Sequence, residues 1–235
     1  MKKMILSAVM LVLAASGYAQ ETGAAGAGER NEWLPTFEAV AVDADLDVKF
    51  VRVPDTEAPK IVYDTKGSYT TKFRAEVKDK TLRISEKPDS RRPDRTEVTV
   101  YYNALRAVSL SGAAATFEGT LAAAVLDVTV NRKASLTAKL DVKDLKMEQT
   151  GYSTANLSGS VRYLSLYVST GKVAASDLEV MSAEVNAQSK AEVSLWITDR
   201  FVGKTTTNAR ISYKGDPKIV RGGAKFMGGE INRVE

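Results

Sequence analysis

The chain has 235 residues, with 33 Lys and Arg against 29 Asp and Glu, a formal net charge of +4, and neither His nor Cys. The missing His and Cys exclude Ser-His and Cys-His nucleophiles, disulfides and the usual zinc ligand sets. A near balance of charge exerts no strong pull on nucleic acid, so none is expected as a partner.

Residues 1–19 read as a secretory signal peptide. Lys2 and Lys3 precede an apolar run from Met4 to Ser16, and Gly17-Tyr18-Ala19 offers a cleavage site. That run falls short of the roughly 20 residues a membrane span needs, and no later segment approaches it, so no transmembrane anchor is expected. Removing the peptide leaves 31 basic residues against 29 acidic, a charge of +2. No Cys follows the run to accept a lipid, so the mature protein is expected to be soluble and exported, whether periplasmic, cell-surface or secreted. Residues 20–33, beginning QETGAAGAGERN, carry no apolar period and read as a flexible leader.

Residues 34–103 form a β-rich N-terminal unit. Val40, Val42, Ala44, Leu46, Val48 and Phe50 alternate with polar or small residues, the period of two of a half-buried strand. The period returns at Phe73-Ala75-Val77, Leu82-Ile84 and Val98-Val100-Tyr102, with Lys78-Asp79-Lys80 as a hairpin turn. Two prolines and dense charge in KPDSRRPDR, residues 87–95, predict an exposed loop.

Residues 104–235 read as a β-solenoid and its C-terminal capping tail, and from Leu105 to Tyr213 the chain repeats loosely every 19 to 21 residues, a short alternating strand followed by a small-residue corner. Superposing Asp127, Lys146, Ser165 and Glu184 puts Val128, Met147, Leu166 and Val185 in one apolar column. The next positions, Thr129, Glu148, Tyr167 and Asn186, fall in one polar column. Parallel strands about 4.8 Å apart stack like positions over one another in this way. Gly112, Gly151, Gly159 and Gly171 supply positive φ at the corners, and Ala115, Ala134, Ala155 and Ala175 are small enough to crowd a bend. The prediction is an all-β protein, a right-handed parallel β-helix-like solenoid capped by the N-terminal unit. The tail KIVRGGAKFMGGEINRVE is expected to close the far end. Residues 34–235 would then count as one domain.

Candidate chemistry is sparse. Asp127, Glu148 and Glu184 are outward carboxylates that a β-helix glycosidase could pair, but solvated surface acids explain them more simply. Asp43, Asp45 and Asp47 share a strand face roughly 6.7 Å apart and splay too far to converge on calcium, so no metal and no cofactor are expected. Tyr163 and Tyr167 alternate with inward Leu164, Leu166 and Val168, which turns both rings outward about 13 Å apart, and Trp196 is outward if Leu195 and Ile197 point in. Such rings suit sugar stacking. Arg91, Arg92 and Arg95, with Lys87, offer guanidinium forks for an anion.

The stretches FEAVAVDADLDVKFVRV, TLRISEK, VTVYYNALRAVSLSGAA and YKGDPKIV resemble the "putative auto-transporter adhesin, head GIN domain" family over nearly the whole chain. The resemblance implies a right-handed parallel β-helix-like body exported to the periplasm or cell surface, with no catalytic residues to carry over. No translocator barrel of membrane strands is expected after the repeats. The expected function is a non-enzymatic envelope protein, adhesin-like or a module binding glycan or an envelope protein. The alternatives are a β-helix carbohydrate-active enzyme with paired carboxylates and a self-associating scaffold.

Overall fold

The computed structural model describes residues 28–66, 72–88 and 94–234, with the side chains of 223–226 left aside. The signal peptide and most of the leader lie outside these residues, as does the centre of the 87–95 loop.

The described residues form fourteen strands and no helix, all in one sheet. They are β1 (Arg30–Trp33), β2 (Ala39–Asp43), β3 (Leu46–Arg52), β4 (Lys60–Asp64), β5 (Phe73–Lys78), β6 (Thr81–Glu86) and β7 (Thr96–Tyr102). There follow β8 (Ala107–Ser111), β9 (Ala114–Asn131), β10 (Ser135–Gln188), β11 (Glu192–Thr206), β12 (Arg210–Lys214), β13 (Ile219–Phe226) and β14 (Glu230–Arg233).

The ladder of the sequence appears as parallel pairing. Lys146 stands opposite Asp127, Met147 opposite Val128 and Glu148 opposite Thr129, each 19 residues apart. One ladder on, Glu184, Val185 and Asn186 stand opposite Val202, Gly203 and Lys204. The 54-residue β10 would measure about 180 Å if straight at 3.3 Å per residue. It turns back instead: Gln149 Nε2 donates to Lys172 O at 3.1 Å and Ser160 Oγ to Asp141 at 3.3 Å, all four residues being in this one strand. The bends show in burial, because alternation breaks at the outward pairs Lys143/Asp144, Arg162/Tyr163 and Met181/Ser182, again 19 apart. Val128, Met147, Leu166 and Val185 are all buried, as the apolar column requires.

The tight corners are more varied than glycine alone. Positive φ occurs at Gly112, Gly151, Gly159 and Gly171, and also at the pairs Arg132/Lys133, Ser189/Lys190 and Thr207/Asn208. In these three pairs the amide of Ala134, Ala191 or Ala209 donates back to the carbonyl of Asn131, Gln188 or Thr206. That hydrogen bond with two left-handed central residues is a type I′ turn. The left-handed conformation costs roughly 1–2 kcal/mol per non-glycine residue. Stacking offsets it, since Lys133 N bonds Gly151 O, Lys190 N bonds Thr207 O and Asn208 N bonds Met227 O from one corner to the next. The alanine after each turn is fully buried.

The N-terminal strands belong to the same sheet, in an order the sequence does not follow. β2 lies parallel between β6 and β8, and β3 lies between β7 and β9. The layer made by β2 and β3 is therefore inserted between the later β6–β7 layer and the β8–β9 layer. Phe50 on β3 stacks on Phe117 of β9 with centroids 4.5 Å apart and meets Tyr102 of β7 edge-on at 6.4 Å, tying the three layers through the core. Antiparallel β4 and β5 cover the outer edges of β7 and β6. Asp79 and Lys80 have positive φ between β5 and β6, as a two-residue hairpin needs.

Three local expectations are corrected. Arg30–Trp33, read as the end of a flexible leader, is an edge strand antiparallel to β4. The alternating run from Val40 to Phe50 is two strands bent at Ala44-Asp45, because burial parity continues through the bend and hides it from periodicity. The C-terminal tail adds a parallel layer, β13 on β11 and β14 on β12, and among the described residues no further strand covers its outer edge.

Candidate binding face and groove

Tyr163 and Tyr167 both face outward on the segment that follows the Arg162/Tyr163 bend, as alternation predicts. Tyr163 is 49% exposed. Tyr167 is half-buried, and its hydroxyl accepts a hydrogen bond from Gln188 Nε2. The two rings thus differ in role, one free and one held by the sheet.

Trp196 does not join them. It pairs with Glu179, and the register breaks between Val180 and Ser182 before the segment of the tyrosine column continues. Lys214, its register partner on β12, places Nζ 5.1 Å from the indole centroid, so a cation covers part of the ring.

The arginine cluster is not an open anion grip at the position that can be described. Arg95 Nη1 donates to Asp47 at 2.7 Å and its Nε to Asp45 at 2.7 Å, with Nη2 also on Asp45. Burial works to lower its pKa, but the Asp45 hydrogen bond and the charges of Asp47 and Asp45 hold it above its ordinary value. Asp43 is likewise taken, by Arg132 at 2.9 Å and Ser111 at 3.0 Å. The acidic residues 43, 45 and 47 therefore bind arginine, a pairing no local pattern signals because the partners lie 48 to 89 residues away. Arg91 and Arg92 lie outside the described residues.

The sequence reading missed an open groove of about 510 Å³ crossing four layers, lined by Phe117 and Gly119, Thr137 to Lys139, Asn156 to Ser158, and Ala174, Ser176 and Asp177. It forms where the ladder is interrupted. Thr137 pairs with Thr116 but Lys139 with Thr120, so Phe117–Gly119 bulges from its neighbour. Ala175 pairs with Leu195 and Glu179 with Trp196, so residues 176–178 bulge likewise. Bulges bend a strand and re-aim its side chains. The closely spaced polar residues of STANLSGS hinted at a wet surface, but nothing local reports that two bulges three layers apart align.

Among its lining residues the groove carries one carboxylate, Asp177, whereas glycoside hydrolysis uses two. Asp127, Glu148 and Glu184 are exposed on strand faces away from it. Among the described residues no group of three or more His, Cys, Asp or Glu is placed to hold a metal. No helix among them is long and apolar enough to cross a membrane.

The described residues thus form an all-β sheet of largely parallel strands whose outward face bears an exposed tyrosine and an open groove lined by polar residues. The family model of "putative auto-transporter adhesin, head GIN domain" matches residues 36–217, and the chain belongs to this family. A crystal structure of a "putative adhesin" from Bacteroides fragilis is similar with a TM-score of 0.80 at 18% identity, covering 88% of this chain and 96% of that one. A "putative adhesin" from Parabacteroides merdae follows at 0.65 and 18%, with the same coverage. A "putative lipid binding protein" from Parabacteroides distasonis reaches 0.63 at 16%, covering 90% and 98%. At such identities the likeness is one of fold. No curated protein matches the chain.

Proposed function

We propose that the protein is an exported, non-enzymatic binding module of the cell envelope, adhesin-like in use, presenting a rigid sheet face to a glycan or envelope protein. The observation that carries this reading is the stacked outward face on which Tyr163 stands half exposed. An aromatic body with a polar tip, held on a backbone already ordered by stacked layers, loses little entropy on contact. Family membership and the adhesin-class neighbours support the same direction. In this reading residues 1–19 direct export, and the layers wind as a right-handed parallel β-helix-like solenoid with residues 34–103 over one end. The test is retention of the protein by isolated envelope. The double variant Tyr163→Ala, Tyr167→Ala is expected to lose that retention, and undiminished retention would remove the face from the account.

A second reading, self-association, is favoured by the outer edge of β13 and β14, which no further strand covers among the described residues. Ile219, Val220, Met227 and Val234, all in this last layer or bordering it, are large apolar side chains left exposed. A parallel edge with apolar side chains is a template for another strand. Light scattering across a concentration series tests it: growth in mass that Val220→Lys abolishes supports the reading, and a monomer throughout opposes it.

A further inference from the structure

The geometry points to the groove over Phe117, Ala138 and Leu157 as a binding site for a neutral oligosaccharide. This deepens the binding-module reading and rests on it, but uses a different part of the surface from the tyrosine face.

Three features fix the ligand class. The floor is apolar: the buried core residues Phe117, Ala138 and Leu157 are among its lining. The walls carry hydroxyl and amide groups, Thr137, Asn156, Ser158 and Ser176, which both donate and accept hydrogen bonds. The charges are one of each sign, Lys139 and Asp177, on layers separated by the Asn156 layer, so the groove as a whole is neutral. A ligand with an apolar C–H face and a rim of hydroxyls complements all three, and that is a sugar. A polyanion would meet Asp177 and a polycation Lys139, each facing a like charge.

Size and shape agree. A volume of 510 Å³ lies inside the roughly 300–1,000 Å³ of ligand sites. Four layers at about 4.8 Å give a trough about 14 Å long, which suits several linked rings rather than one. Residues 117–119 bulge from β10 and residues 176–178 from β11 at the two end layers of the trough, and bulges re-aim the side chains that line it. The groove is also pre-formed, because Gly159, beside Ser158, has φ +101° and lies so close to Leu140 that a Cβ would stand 2.9 Å from its backbone nitrogen. That close approach draws the two layers together under the wall.

The experiment is titration of the full exported chain with neutral linear tetrasaccharides (glucose-, mannose- and N-acetylglucosamine-based), beside a polyuronate and an unrelated tetrapeptide. At least one neutral tetrasaccharide is expected to bind, with Asn156→Ala and Asp177→Ala each weakening it about ten-fold or more. Thr137→Arg, an exposed position that tolerates the larger side chain, is expected to block the trough while leaving the melting temperature in place. Lys204→Ala, an exposed position outside the groove lining, is expected to leave this binding unchanged. Binding of no neutral tetrasaccharide, binding of the polyuronate or the peptide alone, or saccharide binding untouched by the three groove variants would overturn the proposal. The binding-module reading fails separately, by loss of all envelope retention in the unmodified protein.

Discussion

Gly203 leaves open the space that the ring of Phe201 occupies: a Cβ built on Gly203 would stand 2.7 Å from Phe201 Cζ and 3.0 Å from Ile231 Cδ1. The apolar column of Val128, Met147, Leu166 and Val185 thus ends in a glycine because a ring two residues earlier has taken its place. Gly203→Ala is expected to destabilise the protein by about 1–3 kcal/mol through overpacking. Phe201→Ala is expected to cost about 3–5 kcal/mol through the cavity it leaves. The pair Phe201→Ala, Gly203→Ala should cost less than the sum of its parts, since the two groups compete for one volume. Urea midpoints of the three variants check this, and strict additivity would contradict it.

Gln149 is a buried amide in the same core, in register with Val130. Its Nε2 donates to Ser153 O at 2.8 Å and to Lys172 O at 3.1 Å, joining one corner to the next layer. Gln149→Leu keeps the volume but strands two carbonyls without that donor. The expected loss is about 2–3 kcal/mol, on the scale of unsatisfied buried acceptors. An unchanged denaturation midpoint would show that the amide bonds contribute nothing net.

Tyr102 gives the opposite expectation. Its ring is packed between layers, yet its buried hydroxyl has no hydrogen-bond partner among the described residues. Tyr102→Phe is therefore expected to leave stability unchanged or raise it by up to about 1 kcal/mol. Thermal denaturation reads the sign, and a loss of more than about 1 kcal/mol would reveal a bond the hydroxyl does make.

Two buried phenols, Tyr102 and Tyr63, set an alkaline limit. Burial pushes Tyr63 up to about 12, helped by its hydrogen bond to Glu32 at 2.6 Å, and burial likewise pushes Tyr102 up to about 12. A folded pKa above the ordinary 10 favours the neutral phenol in the native state. The associated stability is present in full below pH 10 and is lost as pH rises from 10 towards 12, on the order of 2 kcal/mol per group. Denaturant midpoints between pH 9 and 12 should fall less steeply in Tyr63→Phe, Tyr102→Phe than in the unmodified protein. Equal slopes would contradict the assignment.

Much of the architecture is legible in the sequence because a parallel stack imposes its spacing on composition. The 19-residue superposition of Asp127 on Lys146 is the pairing observed, and the hairpin at Asp79-Lys80 sits where predicted. What stays hidden is long-range or parity-neutral. The bend at Ala44-Asp45 preserves alternation, and nothing local says that β2 and β3 lie between strands that follow them in sequence. Left-handed corners at Arg132/Lys133, Ser189/Lys190 and Thr207/Asn208 lack the expected glycine because stacked turns hold them. At the candidate sites, Tyr163 is found where alternation places it, whereas Arg95 is tied to Asp45 and Asp47 from 50 and 48 residues away. The groove arises from two bulges in separate layers, a coincidence of register that periodicity does not encode.

The most direct measurement is retention of the purified exported chain on isolated envelope, unmodified beside Tyr163→Ala, Tyr167→Ala, with folding verified by the melting temperature. The account predicts retention of the unmodified protein and its loss in the variant at an unaltered melting temperature. Equal retention of both proteins, or retention of neither, would contradict a binding face built on the stacked tyrosine surface.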